Sequence, residues 1–124
     1  MARNQEGLKK AVQEIDSLKK TFYKEVNVPG SQYDFNQELE KAMRLEDFFE
    51  IGKLMAMDAL ERKESCGGHF REESQTEEGE ARRDDSNYMY VAAWECKGSE
   101  SAPELHKEML DYQFVQVKTR NYKE

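Results

Sequence analysis

Apolar positions along the first part of the chain recur at spacings of three and four. Leu8, Val12, Ile15, Leu18 and Phe22 share one face of a helix predicted from about Asn4 to Glu25. Lys9, Lys10, Gln13, Glu14, Lys19 and Lys20 fill the other faces. Asn4 is placed to cap this helix, with Glu6 in the first turn where the helix dipole favours a negative charge. Asn27-Val28-Pro29-Gly30-Ser31 ends it, because proline cannot continue a helix and glycine supplies the turn.

A second helix is predicted from near Asn36 to near Lys63, about 40 Å long at the usual rise. Its first half is amphipathic, with Leu39, Ala42 and Met43 opposite Glu38, Glu40 and Lys41. The second half is apolar on more than one side. Leu45, Phe48, Phe49, Ile51, Gly52, Leu54, Met55, Ala56, Met57, Ala59 and Leu60 cannot share one stripe. A helix apolar all round is normally enclosed on all sides, and one short partner helix cannot enclose it. This half therefore expects neighbours beyond those the chain supplies.

Gly67-Gly68 is expected to stop the second helix. Glu72 to Asn87 reads as a solvated loop rich in Glu and Arg. Tyr88 to Cys96 favours a strand by its aromatic and β-branched content, and Leu105 to Met109 a second. Tyr112 to Lys118 alternates with period two, as a third strand or an extended docking tail. The fold class is mainly α, an antiparallel helical bundle followed by a C-terminal β-hairpin and extended region. One domain overall is expected, with 1–71 the helical hairpin and 72–124 the loop, hairpin and tail.

With 26 acidic against 19 basic side chains the net charge is −7, a surface that repels phosphate backbones and argues against nucleic acid. No apolar run reaches the length of a membrane span, and Met1-Ala2-Arg3-Asn4 lacks the apolar stretch of a secretion signal. A cytoplasmic location is expected, with Cys66 and Cys96 as reduced thiols. The uncovered second helix predicts self-association.

Candidate chemistry is sparse. Cys66 and His69 have ligand spacing and could join Cys96 and His106 around zinc, but the second pair is far apart in sequence and ordinary packing is favoured. Cys66 with His69 as a nucleophile and base is disfavoured, since a helix C-terminus opposes a thiolate. No G-x-G-x-x-G and no G-x-x-x-x-G-K-[ST] occurs. The chain by itself offers no visible catalytic, cofactor or metal site.

The segment Arg62-Lys63-Glu64-Ser65-Cys66-Gly67-Gly68-His69-Phe70-Arg71 resembles the R-x-E-S-R-G-x-H-x-R segment near the C-terminus of the flavoprotein subunits of succinate dehydrogenase and fumarate reductase. Arg62, Glu64, Ser65, Gly67, His69 and Arg71 carry the match. Arg83-Asp84-Asp85 resembles that family's R-D-D before an aromatic-rich strand, and Arg120-Asn121-Tyr122 its terminal R-x-Y. Phe35 to Leu39 and the long apolar helix are also similar. Cys66 departs from the usual arginine and Gly68 stands where alanine is common. The cysteine form and the Glu77-to-Asp85 loop resemble a subgroup from anaerobic, Bacteroides-like bacteria.

The resemblance implies a spectrin-like three-helix bundle of which two long helices are present, followed by an extended hairpin region. It implies a non-catalytic C-terminal domain that braces the flavin domain of a larger subunit. That subunit would interconvert succinate and fumarate at FAD held outside this chain. Partners would be the flavin-binding domain of the same subunit and the iron–sulfur subunit of a complex at the cytoplasmic face of the inner membrane. Domain-docking residues would be Arg62, Glu64, Ser65, Gly67, Gly68, His69, Arg71, Arg83, Asp84 and Asp85. The alternative is a free-standing helical adaptor that takes an amphipathic partner helix in a groove lined by Met43, Met55 and Met57.

Overall fold

The computed structural model describes residues 3–98 and 101–118. Met1, Ala2 and the Arg120-Asn121-Tyr122 motif lie outside the described residues. The chain forms two compact units, Asn4–Glu61 and Arg62–Glu124 with Met1–Arg3.

The first unit is a helical hairpin. Helix α1 spans Gln5–Glu25, and Asn4 caps it by accepting from the Gly7 N–H at 2.7 Å. Glu6 in the first turn and Lys24 in the last complement the dipole. Helix α2 spans Gln37–Glu61. The Asn36 side-chain oxygen caps it by accepting from the N–H groups of Glu38 and Leu39, each at 3.1 Å. In the connecting loop Gly30 holds φ at 110°, and Asn36 Nδ2 donates to the Pro29 carbonyl at 3.0 Å. One side chain thus ties the turn to the start of α2.

The two helices run antiparallel. Phe22 meets Phe49 edge-on with ring centroids 5.6 Å apart, Lys19 pairs with Glu50, and Asp16 pairs with Lys53 at 2.7 Å. As the position on α1 falls, its partner's position on α2 rises. Ile15 lies over Gly52, its Cδ1 3.8 Å from where a Cβ would stand. The ion pairs Lys19–Glu50 and Asp16–Lys53 lie along one side of the hairpin, as the 100° step per residue requires. On the other side Leu18, Phe48, Ile51 and Met55 stand 57%, 62%, 55% and 64% exposed. Leu18 therefore leaves the covered face assigned to it from spacing, because it sits about 60° round the helix from Ile15. Leu39 and Met43 in the first half of α2 are also exposed, and within α2 only Ala59 is buried.

Helix α2 ends at Glu61, before the glycines expected to stop it. Gly67 and Gly68 instead form a two-residue hairpin turn, closed by backbone hydrogen bonds from Cys66 N to His69 O (2.8 Å) and from His69 N to Cys66 O (3.0 Å). Gly67 has φ 56° while Gly68 does not need a positive φ, as in a type II′ turn. The Glu72-to-Asn87 segment is not a solvated loop. Gln75 bridges Ala81, Arg82 N donates to Ser74 O at 3.1 Å, and Ser74 is buried. Its charges at Glu77 and Glu78 face solvent while its backbone pairs. A short helix α3, Asp85–Tyr88, follows and is capped by Asp84.

Strands β1 (Tyr90–Glu95) and β2 (Glu104–Met109) pair antiparallel, with Tyr90 opposite Met109 and Glu95 opposite Glu104. No third strand forms at 112–118, so the strand reading fails there. Phe114 and Val115 are 89% and 67% exposed. Alternation alone forms no ladder where the apolar side chains have nothing to pack against.

Candidate docking site

All ten residues singled out from the sequence fall in the second unit. The structure divides them into a buried polar hub and an exposed rim. Arg62 is the hub's centre. Its guanidinium donates to Glu64 Oε1 at 2.7 Å, to the Tyr88 carbonyl at 2.8 Å and to the Tyr90 carbonyl at 3.1 Å. It also lies 4.8 Å from the Tyr90 ring centroid, with the Lys107 ammonium 4.6 Å from the same ring. Residues 88 and 90 are alternate positions, and Met89 O is the carbonyl that pairs inward with Leu110 N. The carbonyls held by Arg62 therefore point away from β2. Arg62 covers the start of the free edge of β1, which would otherwise invite another strand.

Glu64 is 3% exposed, and its second oxygen accepts from the Asp84 N–H at 2.8 Å. It joins the seam to the segment that leads into α3. Ser65 is fully buried, accepts from Arg71 N at 2.8 Å and donates to Arg71 O at 3.2 Å. Only a small residue with both a donor and an acceptor fits that exchange. Arg71 is 2% exposed, with Nε 3.3 Å from Glu73 Oε2. Charges buried this way cost desolvation and persist because they are paired.

His69 is engaged at both ring nitrogens. Arg3 Nη1 donates to Nδ1 at 2.9 Å, and Nε2–H donates to the Arg62 carbonyl at 2.9 Å. The arginine partner, having no acceptor, assigns the ring proton to Nε2. Arg3 is further held by backbone bonds to Phe70 O and from Glu72 N, at 3.0 and 2.8 Å. Arg83 is clamped by Asp85 Oδ1 at 2.6 and 2.9 Å and donates to Lys118 O at 3.0 Å. The Asp85 hydrogen bond is the main influence that raises the Arg83 pKa above its ordinary value, so this cation is permanent. Gly67 and Gly68 are exposed, and a Cβ built on either meets nothing within 4 Å.

The hub draws in Ser74, Tyr90 and Arg3, which sequence reasoning passed over. Ser74 Oγ donates to Lys63 O at 2.7 Å. No local pattern marks it, since it sits in a run of acidic residues. Tyr90 carried a signal, two positions beyond Tyr88 on an aromatic strand. The four-residue zinc set does not assemble. His69 spends both nitrogens as above, and His106 Nε2 lies 2.7 Å from Glu95. Among the described residues Glu95, Glu104 and His106 come within 4.8 Å of one another, but all are exposed and the Lys97 ammonium lies 2.8 Å from both carboxylates. With both ring nitrogens committed, His69 is no general base for Cys66 either. The donor set does not fit FAD: the polar groups of the hub satisfy each other and the backbone, and the paired glycines form an exposed hairpin turn rather than a phosphate cradle at a helix start.

Residues 1–122 match the family described as fumarate reductase flavoprotein C-term. The chain is 36% identical over 87 residues to a fumarate reductase flavoprotein subunit of Haemophilus influenzae, covering 70% of this chain and 13% of that protein. It is 34% identical over 71 residues to an uncharacterized FAD-dependent oxidoreductase of Methanocaldococcus jannaschii, covering 57% and 12%. Among solved structures it is similar to FrdA of E. coli quinol fumarate reductase, with a TM-score of 0.77 at 24% identity over 95% of this chain and 19% of that one. A quinol–fumarate reductase with menaquinol molecules gives 0.74 at 24% over 93% and 19%. At this identity the structural likeness speaks for the fold. The chain spans about an eighth of the length of the curated relatives it matches. Two long helices and a following hairpin are the fold of this region, and the match runs nearly end to end: the chain belongs to the C-terminal domain family of succinate dehydrogenase and fumarate reductase flavoproteins.

Proposed function

We propose that this chain is the non-catalytic brace of an FAD-dependent succinate dehydrogenase or fumarate reductase flavoprotein subunit. The observation that carries the reading is the division of labour in the second unit. Arg62, Glu64, Ser65 and Arg71 are consumed in holding the seam rigid, while Gly67 and Gly68 present a backbone without side chains to whatever lies outside. A paired-glycine turn on a rigid base suits close approach by another protein surface. Arg83 and Asp85, partly exposed beside it, supply the polar rim. Glu64, His69, Arg71 and Asp84 act by positioning that surface, and the uncovered side of the helical hairpin receives further parts of the same subunit.

FAD and the succinate–fumarate chemistry belong, on this reading, to the flavin-binding domain. An iron–sulfur subunit meets the assembled pair in a complex at the cytoplasmic face of the inner membrane. No helix among the described residues is long and apolar enough to cross a membrane. The adaptor alternative loses its groove. Met43 and Met57 lie 14 positions apart, about 21 Å along α2, and Met55 sits more than 100° round the helix from both.

The test is a titration of the flavin domain from the parent reading frame with this chain, followed by flavin fluorescence. Saturable binding that Gly68→Trp abolishes, with the variant's own fold intact, is the expected result. No binding, or a near-stoichiometric flavin band in the chain purified by itself, would overturn the reading.

A further inference from the structure

The uncovered side of the helical hairpin has a symmetry of its own. Phe48, Ile51 and Met55 lie at spacings of three and four, a stripe about 60° wide on α2. Leu18 of α1 borders it. The ion-paired side, with Lys19–Glu50 and Asp16–Lys53, faces away. Arg44 and Asp58 are centred on Ile51, and the midpoint of Phe48 and Met55 falls half a residue beyond it, under about 1 Å along the helix.

We infer that α2 docks against α2 of a second copy, antiparallel, about a two-fold axis at Ile51. In that register Ile51 meets Ile51, and Phe48 of each copy packs against Met55 of the other, a ring-against-thioether contact that is favourable in its own right. Arg44 of each copy faces Asp58 of the other at the rim. Parallel pairing would instead set Arg44 on Arg44 and Asp58 on Asp58, repulsion at both ends. Charge thus selects the antiparallel register, and apolar burial drives it. Arg44 already serves Glu40 on its own helix, so the rim pair orients the dimer more than it strengthens it.

This inference concerns the chain by itself and uses the same face that the proposed parent subunit would cover. Its failure would leave the flavin-domain titration unaffected, and the reverse holds too. Light scattering of the full chain at 100 µM should give twice the 14.6 kDa chain mass, in low salt and in 0.5 M NaCl alike. Ile51→Glu should weaken association by about 30-fold or more, while Met43→Glu, exposed but off the stripe, should leave it unchanged. Register is read by crosslinking in a Cys66→Ser, Cys96→Ser background under copper–phenanthroline. Ile51→Cys should crosslink to itself. Phe48→Cys and Met55→Cys should crosslink when mixed and neither with itself, whatever Ile51→Glu does to folding. A strict monomer, a dimer indifferent to Ile51→Glu, or Phe48→Cys crosslinking with itself would each overturn the inference.

Discussion

Arg62 and Glu64 form a 2.7 Å ion pair two residues apart, inside a unit where the glutamate is 3% exposed. Neither charge could be left there without the other, and each also holds backbone from far along the chain. Arg62 takes the carbonyls of Tyr88 and Tyr90, and Glu64 takes the N–H of Asp84. Glu64→Ala strands the guanidinium and frees the Asp84 N–H, so it should cost about 3–5 kcal/mol. Arg62→Lys should also destabilise, because an ammonium cannot span the carboxylate and two carbonyls as a planar fork does. Urea unfolding followed by near-ultraviolet circular dichroism measures both. A loss under about 1 kcal/mol for Glu64→Ala would show that the hub does not hold the unit.

Gly52 lies mid-helix opposite Ile15, and a Cβ there would sit 3.8 Å from Ile15 Cδ1, an ordinary contact. Glycine weakens a helix interior through the extra freedom of its unfolded chain. Gly52→Ala should therefore stabilise the helical hairpin by about 0.5–1 kcal/mol. A higher midpoint in urea at unchanged slope is the expected result, and a lower midpoint would mean the helices must approach more closely than the Ile15 contact shows.

The opposite holds at Gly30. Its φ of 110° strains any other residue, and a Cβ would fall 2.5 Å from Asn36 Nδ2, the side chain that caps α2. Gly30→Ala should cost about 1–3 kcal/mol from backbone strain alone, and Asn36→Ala about 1 kcal/mol from the lost cap. The double variant should cost less than the sum, since the clash disappears with the asparagine. Additive losses would separate the turn from the cap.

The long elements were legible because their periods are local. Leu8, Ile15 and Phe22 mark α1 without reference to the rest of the chain, and the apolar residues from Leu45 to Leu60, spread over more than one side of α2, already said that α1 could not cover it. The seam was harder. The chain leaves the helix at Glu61 because Arg62 and Glu64 are needed by Tyr88, Tyr90 and Asp84, 20 to 28 positions downstream, and no local window contains that demand. The same holds for the segment after Glu72, whose composition says solvent while Ser74 and Arg82 pair their backbones. The motif at Arg62 to Arg71 could be recognised by resemblance, but which of its side chains turn inward required the coordinates.

The end of the β-hairpin provides a pH test. Glu95 is held below the ordinary glutamate value of 4.5, first by the hydrogen bond from Lys97 and then by that from His106. Its folded value is thus depressed relative to the unfolded chain. Whatever the cluster adds to pairing of β1 with β2 is present above the unfolded value and fades as pH falls through the folded one. Because these groups are exposed, the effect should be read at the residue. A carbon-detected NMR titration of the Glu95 carboxyl should show a midpoint below 4.5, rising toward it in Lys97→Ala, where the larger influence is gone, and less far in His106→Ala. Salt at 1 M should shrink the shift through screening. A Glu95 midpoint unmoved by Lys97→Ala would mean that the ammonium does not rest between Glu95 and Glu104 in solution, and would reopen that carboxylate pair to an external cation.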